Sequence, residues 1–158
     1  MKKFDRQTVM YSVALIAVFV WIGFVCSISF MEAWLKFRAP NVSLSTGLSI
    51  GRLVFAALNK VEWVLGGIVA SAILFSSQKQ KFLESIFLYV PIIILILQTS
   101  WLLPSLNERA ERIIQGMDIS SSTVHFNYLF FEFIKIFSLF SLGICVIYRL
   151  IGSQAKTS

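Results

Sequence analysis

The sequence contains few charged residues and few residues that bind metals. Only 14% of its 158 residues are charged, 57% are hydrophobic, and the mean hydropathy is +0.79. An ordinary soluble domain carries about 25% charged residues, so this composition excludes that class. One histidine and two cysteines without a CxxC pair exclude a dedicated zinc or iron–sulfur site and a haem held by two histidines of one chain. We therefore expect neither a metal nor a cofactor.

The two cysteines, Cys26 and Cys145, lie in different hydrophobic runs. Helical rise places them roughly 20 Å apart, near opposite faces of a bundle. A disulfide needs Cα atoms within about 7 Å, so we expect two free thiols that act as small packing groups.

The net charge of +6 lies mainly in the ends and connections of the chain. No basic stripe or aromatic stacking platform is present, so we expect no binding to nucleic acid. Attraction to lipid headgroups and membrane topology explain the charge better, and the lipid bilayer is the expected partner.

Four long hydrophobic runs dominate the chain, at about residues 8–31, 50–76, 83–104 and 123–150. A helix of about 20 apolar residues crosses the hydrocarbon layer, and the first run is too long for the core of a signal peptide. The sequence therefore predicts an all-α, integral membrane four-helix bundle. It forms one domain, residues 1–158, built from two transmembrane hairpins.

Local signals mark the ends and contacts of these helices. Pro40-Asn41 predicts a turn after the first helix, and Pro91 predicts a kink in the third. The pairs Gly66 with Ala70 and Gly67 with Ser71 have the four-residue spacing that permits close helix packing.

A short amphipathic helix is predicted between the third and fourth spans. Ser105 and Glu108 fit a capping box, and Gly116 fits a C-terminal cap. The segment has one apolar and one charged face, which is typical of a helix on the extracytoplasmic membrane surface or of a solvated linker.

The distribution of basic residues predicts that both termini are cytoplasmic. The two ends and the middle turn hold seven Lys and Arg residues, and the two longer loops hold four: Lys2, Lys3, Arg6, Lys79, Lys81, Arg149 and Lys156 against Lys36, Arg38, Arg109 and Arg112. The positive-inside rule places the richer side in the cytoplasm.

Polar residues within the second and fourth helices are the candidate functional site. These residues are Arg52, Asn59, Glu62, His125, Tyr128, Glu132 and Lys135. The four on the last helix share one helical face. Each intramembrane charge costs roughly 2.5–3.5 kcal/mol on insertion scales and faces protein or water.

We expect Glu62 to meet Lys135, and Arg52 or Lys60 to meet Glu132, across the two hairpins. Two interpretations stay open. The residues line a cavity for a small ligand or an ion, or they form a structural ion-pair network that fixes helix register.

The run RLVFAALNKVEW resembles the second-helix motif of the MAPEG family of membrane glutathione transferases. This resemblance implies that Arg52, Asn59 and Glu62 help to hold glutathione. The tyrosine and arginine that this family carries on later helices have no match here, and the third span offers only Tyr89 and Gln98.

Most of the chain resembles a family of small four-helix membrane proteins of unknown function. That family includes a human transmembrane protein associated with cisplatin resistance. The resembling segments are SFMEAWLKFRAP, GLSIGRLVF, SWLLPSLNERAERI and HFNYLFFE. The resemblance implies a four-helix membrane fold and no particular reaction.

The sequence therefore predicts a non-enzymatic membrane protein, without catalytic residues, whose polar cluster binds or passes a small ligand or ion. The alternatives are a structural or accessory subunit of a larger membrane complex, which implies a second copy or another membrane protein as partner, and a MAPEG-like glutathione transferase.

Overall fold

A computed structural model describes residues 6–76, 82–117 and 123–155, with side chains in the last range up to residue 152. Within these ranges the regular secondary structure is entirely helical. Four helices are each long and apolar enough to cross a membrane. They are α1 (Arg6–Arg38), α2 (Leu44–Leu74), α3 (Phe82–Ile114) and α4 (Val124–Ala155). The prediction of four long apolar helices is confirmed.

Helices α1 and α3 both contain a π-helical segment. In α1 the α-helix Arg6–Val25 is followed by the π segment Cys26–Glu32 and then by short α and 3₁₀ turns. In α3 the π segment Gln98–Leu102 separates Phe82–Leu97 from Leu103–Ile114. Such segments are rare and frequently lie at functional sites.

Helices α1 and α4 each bury a stripe of side chains at alternating three- and four-residue spacing, as in a coiled coil. On α1 the stripe begins with Tyr11, Ala14, Val18, Trp21 and Val25. On α4 it comprises Tyr128, Glu132, Lys135, Leu139, Leu142 and Val146. Glu132 and Lys135 are therefore buried because they occupy core positions of α4, while five phenylalanines on the other faces of α4 are exposed: Phe126, Phe130, Phe133, Phe137 and Phe140.

The helices pack in chain order around the bundle. Helix α1 contacts α2 and α4, α3 contacts α4, and α2 packs mainly against the last part of α3, Leu103–Ile114. Helices α2 and α4 thus occupy opposite corners, and their side chains meet across the centre. We call the end near Arg6 and Arg149 the terminal end, and the end near the α1–α2 turn the loop end.

The α1–α2 turn forms where Pro40 and Asn41 predict it. Asn41 has a φ of 65°, in the left-handed region that asparagine tolerates. Ser43 then caps α2, because its hydroxyl accepts a hydrogen bond from the Thr46 amide at 3.2 Å.

Pro91 lies inside α3 and leaves the carbonyl of Phe87, four residues earlier, without its helical donor. The Ser138 hydroxyl of α4 donates to that carbonyl at 3.2 Å. A buried, apolar bundle tolerates an interior proline when a neighbouring helix supplies the missing hydrogen bond.

The capping-box prediction at Ser105 is wrong. Helix α3 continues through the π segment, so the amphipathic part is not a separate helix, and the Ser105 hydroxyl donates to the carbonyl of Trp101. The predicted cap at Gly116 is confirmed. Gly116 has a φ of +77°, and its amide and that of Met117 donate to Ile113 and Arg112, which is a Schellman motif.

The structure also refines the predicted spans. The second helix begins at Leu44, before residue 50, and the first and third helices extend past residues 31 and 104. The basic turn predicted at 78–81 and most of the turn at 118–123 lie outside the described residues. Of the polar tail predicted at 152–158, the part up to Ala155 belongs to α4, and residues 156–158 lie outside the described residues. Both cysteines are free, as predicted.

The two glycine pairs differ in their surroundings. A Cβ at Gly66 would lie 3.0 Å from Trp21 Cη2 and 3.1 Å from Ile92 Cδ1, whereas one at Gly67 would have nothing within 4 Å. Close packing of the bundle therefore involves Gly66.

We expect Gly66→Leu to destabilise the fold by about 1–3 kcal/mol, because overpacking displaces Trp21 and Ile92. Gly67→Leu is the matched control, since it places the same residue on the outer face of the same helix. Reversible unfolding in mixed micelles measures both. Equal effects of the two substitutions would contradict the packing at Gly66.

Candidate functional site

A layer of buried polar side chains crosses the centre of the bundle. Lys135 is fully buried, and its ammonium group donates to Glu62 Oε1 at 2.5 Å and Gln98 Oε1 at 2.6 Å. Its nitrogen also lies 3.0 Å from Glu132 Oε2. An ammonium group has three donors; two of them make these hydrogen bonds, and Glu132 adds an electrostatic contact. The side chains come from α2, α3 and α4.

Helix α1 supplies the outer partners of the two carboxylates. The Trp21 indole N–H donates to Glu62 Oε1 at 2.8 Å, and the Ser29 hydroxyl donates to Glu132 Oε1 at 3.2 Å. Ser29 lies in the π segment of α1, and Gln98 begins that of α3. The π segments of α1 and α3 therefore both contribute a polar side chain to this layer.

Two atoms of this layer lack hydrogen-bond partners among the described residues. One is Gln98 Nε2, although Gln98 is fully buried. The other is Glu132 Oε2, which contacts Lys135 electrostatically without suitable hydrogen-bond geometry. Buried polar atoms are normally paired, so these two atoms are exceptions to the usual pattern.

The layer also carries unequal charge. When all groups are ionised, Glu62 and Glu132 contribute two negative charges and Lys135 contributes one positive charge. The remainder is one negative charge among side chains that are at most 1% exposed. An isolated charge in such a setting is very unfavourable.

A cavity of about 240 Å³ lies at the loop end. Residues of all four helices line it, and most of the wall is apolar: Ala33, Lys36, Phe37, Gly47, Leu48, Gly51, Arg52, Phe55, Leu103, Leu106, Asn107, Ala110 and His125. Its basic groups are Lys36, Arg52 and His125, and no acidic side chain is among the lining residues. Ligand sites combine apolar walls with a few polar groups in this way.

Carboxylates outside the cavity wall hold the two strong bases. Arg52 pairs with Glu111 of α3, and Lys36 pairs with Glu32 of its own helix at 3.1 Å. Lys36 also lies above the rings of Phe37 and Phe55, at 5.4 and 5.5 Å from their centroids. These contacts fix the basic groups at the cavity without closing it.

Tyr128 separates the cavity from the polar layer. It is only 1% exposed, packs with Leu102 and Leu103, and meets Phe55 edge to face at 5.3 Å between ring centroids. Phe55 and Leu103 belong to the cavity wall, whereas the Tyr128 hydroxyl faces Glu132. Tyr128 thus contacts the cavity wall on one side and a buried carboxylate on the other.

Below the polar layer the bundle is apolar toward the terminal end. Val18, Leu139, Leu142 and Val146 are each fully buried in one continuous core. At the end of this core Arg149 pairs with Glu84. Access to the polar layer is therefore shortest from the loop end.

The structure brings six of the seven predicted site residues into this region. Arg52 and His125 line the cavity, Tyr128 lies beneath it, and Glu62, Glu132 and Lys135 form the polar layer. Asn59 lies apart, where its amide donates to Thr99 at 2.9 Å on an exposed face.

The predicted contact between Glu62 and Lys135 is confirmed. The prediction that Arg52 or Lys60 meets Glu132 is wrong, because Arg52 reaches Glu111 and Lys60 is exposed, while Glu132 pairs with Lys135 on its own helix.

Sequence reasoning missed Trp21, Ser29 and Gln98. All three are uncharged and common in membrane helices, so their types alone gave no signal. The periodicity of the buried stripe would have identified Trp21 and Gln98, since both fall on it. Ser29 also depends on the π segment, which no sequence pattern here predicts.

The part of the chain that the structure describes contains no grouping of three or more His, Cys, Asp or Glu residues able to hold a metal ion. No family model, curated protein or solved structure matches the chain.

Proposed function

We propose that the chain is an integral membrane protein with four spans and that it binds a small ligand in the loop-end cavity without chemical conversion. The observation that carries this proposal is the cavity itself, which all four helices line and which combines an apolar wall with three basic groups. Its volume of about 240 Å³ suits a small molecule.

The membrane setting is supported by helix length and by the outer surface. Helices of 31 to 33 residues exceed the span of about 20 residues that crosses the hydrocarbon layer, so both ends reach the headgroup regions. The phenylalanines exposed on α4 suit contact with lipid. By the positive-inside rule the loop end is extracytoplasmic, both termini are cytoplasmic, and the charged face of Leu103–Ile114 projects beyond the extracytoplasmic interface.

The lining favours a ligand with an apolar body and an anionic or hydrogen-bond-accepting group. Leu48, Phe55, Leu103 and Leu106 supply apolar contact, and Arg52 supplies donors at the rim. Binding is supported over passage of an ion, because the core below the polar layer is formed mainly by apolar side chains.

The glutathione transferase alternative has no geometric support. Its three motif residues have separate surroundings: Arg52 pairs with Glu111, Asn59 with Thr99 and Glu62 with Lys135. They do not converge on one substrate.

Native mass spectrometry of gently extracted protein tests the proposal. We expect a small-molecule mass excess on the wild-type chain. Gly51→Leu should reduce occupancy at least about tenfold, equivalent to about 1.4 kcal/mol, because the new side chain enters the cavity past the flexible tip of Lys36. Gly67→Leu should retain the ligand.

Retention of the ligand in Gly51→Leu, or bare wild-type protein, would contradict the proposal. A stoichiometric protein partner in place of a small molecule would instead support the accessory-subunit alternative.

A further inference from the structure

The polar layer has a feature that ligand binding in the cavity does not use. It holds two carboxylates against one ammonium group, it is fully buried, and it contains two polar atoms without hydrogen-bond partners. The nearby bases Lys36 and Arg52 do not compensate this imbalance, because they are paired with Glu32 and Glu111. The layer therefore requires one additional positive charge.

We propose that the layer is a binding site for a single proton, carried by Glu132 and exchanged with water at the loop end through the cavity. The proton passes from a hydronium ion to a carboxylate oxygen, so one O–H bond breaks, one forms and a water molecule is left. The proposal uses the membrane setting of the proposed function but not its ligand.

The contacts assign the proton to Glu132 and not to Glu62. Glu62 receives two short, well-directed hydrogen bonds, from Lys135 at 2.5 Å and Trp21 at 2.8 Å, as an ionised carboxylate does. Glu132 has longer contacts, from Ser29 at 3.2 Å and to Lys135 at 3.0 Å, the Tyr128 hydroxyl also faces it, and its Oε2 atom has no hydrogen bond.

The groups that face Glu132 do not offer another cation. Helix α1 contributes Ser29 and the Cys26 thiol, α2 contributes Glu62, and Gln98 of α3 binds the same ammonium group of Lys135. Helix α4 itself contributes Tyr128 and Lys135, and the single ammonium group is already shared among three oxygens.

The exchange route follows from the position of Tyr128. Its ring packs edge to face against Phe55 of the cavity wall, and Glu132 lies one helical turn further along α4. In the opposite direction a proton would have to cross the layers of Leu139, Leu142 and Val146, which are fully buried and apolar.

Infrared spectroscopy of the full chain in phosphatidylcholine vesicles at neutral pH tests the protonation. The wild type should show the carboxylic acid C=O band of one carboxyl group per chain. Glu132→Gln and Glu62→Gln should each remove the band, since the remaining carboxylate is then neutralised by Lys135. Lys135→Gln should double it, and the exposed control Glu108→Gln should not change it.

Substitution of the two donors tests which carboxyl group holds the proton. Ser29→Ala should shift the frequency of the band, because Ser29 bonds to Glu132. Trp21→Phe, which removes the donor to Glu62, should leave the frequency unchanged. The reverse result would overturn the assignment to Glu132.

Absence of the band in the wild type, or its survival in both glutamine variants, would overturn the protonation. If the wild type lacks the band and binds sodium or potassium, a metal cation occupies the site in place of the proton, and the protonation is overturned. If Lys135→Gln fails to fold, Glu132→Gln still tests the proposal. It leaves Glu62 and Lys135, whose opposite charges cancel.

Exchange of the band in deuterated water tests the route. Tyr128→Ala should accelerate exchange at least tenfold, and Val146→Ala, an equally buried site on the same helix toward the terminal end, should not. Acceleration by Val146→Ala alone would overturn access from the loop end.

Discussion

Lys135→Met is expected to destabilise the protein by about 3–5 kcal/mol, because it removes the single ammonium group from a fully buried layer that holds two carboxylates. The methionine fills a similar volume, so the loss reports charge and hydrogen bonding more than packing. Glu62 keeps only its Trp21 donor, and the Gln98 carbonyl loses its partner at 2.6 Å. Reversible unfolding in mixed micelles, followed by circular dichroism, measures the change.

The exposed ion pair of Arg112 with Glu108 provides the control, since both side chains are more than half exposed. Arg112→Met should cost less than about 1 kcal/mol. The triple variant Glu62→Gln, Glu132→Gln, Lys135→Met should recover much of the loss, because it leaves no buried charge. A Lys135→Met variant as stable as the Arg112 variant would contradict a buried network at this position.

The buried face of α4 was predictable because charge and periodicity agree there. Glu132 and Lys135 are too costly to face lipid, and both fall on the same face as Tyr128. The opposite charge on the second helix, Glu62, was then the natural partner, and the structure places it 2.5 Å from Lys135. Two independent physical constraints therefore sufficed for this contact.

The partner of Arg52 was not predictable in the same way. Arg52 lies near the loop end, where a charge can face water, a headgroup or another helix at similar cost. The choice of Glu111 depends on α3 continuing past the π segment, so that its charged part packs against α2. A capping signal at Ser105 suggested a helix start instead. In the structure Ser105 bonds to Trp101 within the continuous helix.

The π segments explain most of what the sequence left undetermined. An insertion of this kind changes which side chains face the core on either side of it. On α1 the buried stripe runs at regular spacing to Val25, and the π segment then brings Ser29 to Glu132. On α3 Gln98 continues the regular buried stripe, and the next residue, Thr99, lies outward, where it accepts from Asn59. The separation of Asn59 from the polar layer is thus a consequence of local helix geometry.

The second large effect is expected at Trp21, which joins the apolar core to the polar layer. Trp21 is 1% exposed, its indole N–H donates to Glu62 at 2.8 Å, and its ring lies against Gly66. Trp21→Ala removes the largest buried side chain of the bundle and leaves a cavity beside a carboxylate. We expect a loss of about 3–5 kcal/mol in the free energy of unfolding.

Trp101→Ala is the matched control, because Trp101 is 52% exposed. Trp21→Phe separates the two contributions of Trp21, since it keeps most of the ring volume and loses the hydrogen bond to Glu62. Lys135 still binds Glu62 in that variant, so we expect a smaller loss of about 1–3 kcal/mol. If Trp21→Phe were as damaging as Trp21→Ala, the hydrogen bond to Glu62 would outweigh packing. If Trp21→Ala matched the Trp101 control, α1 could not pack against Gly66 as the structure has it.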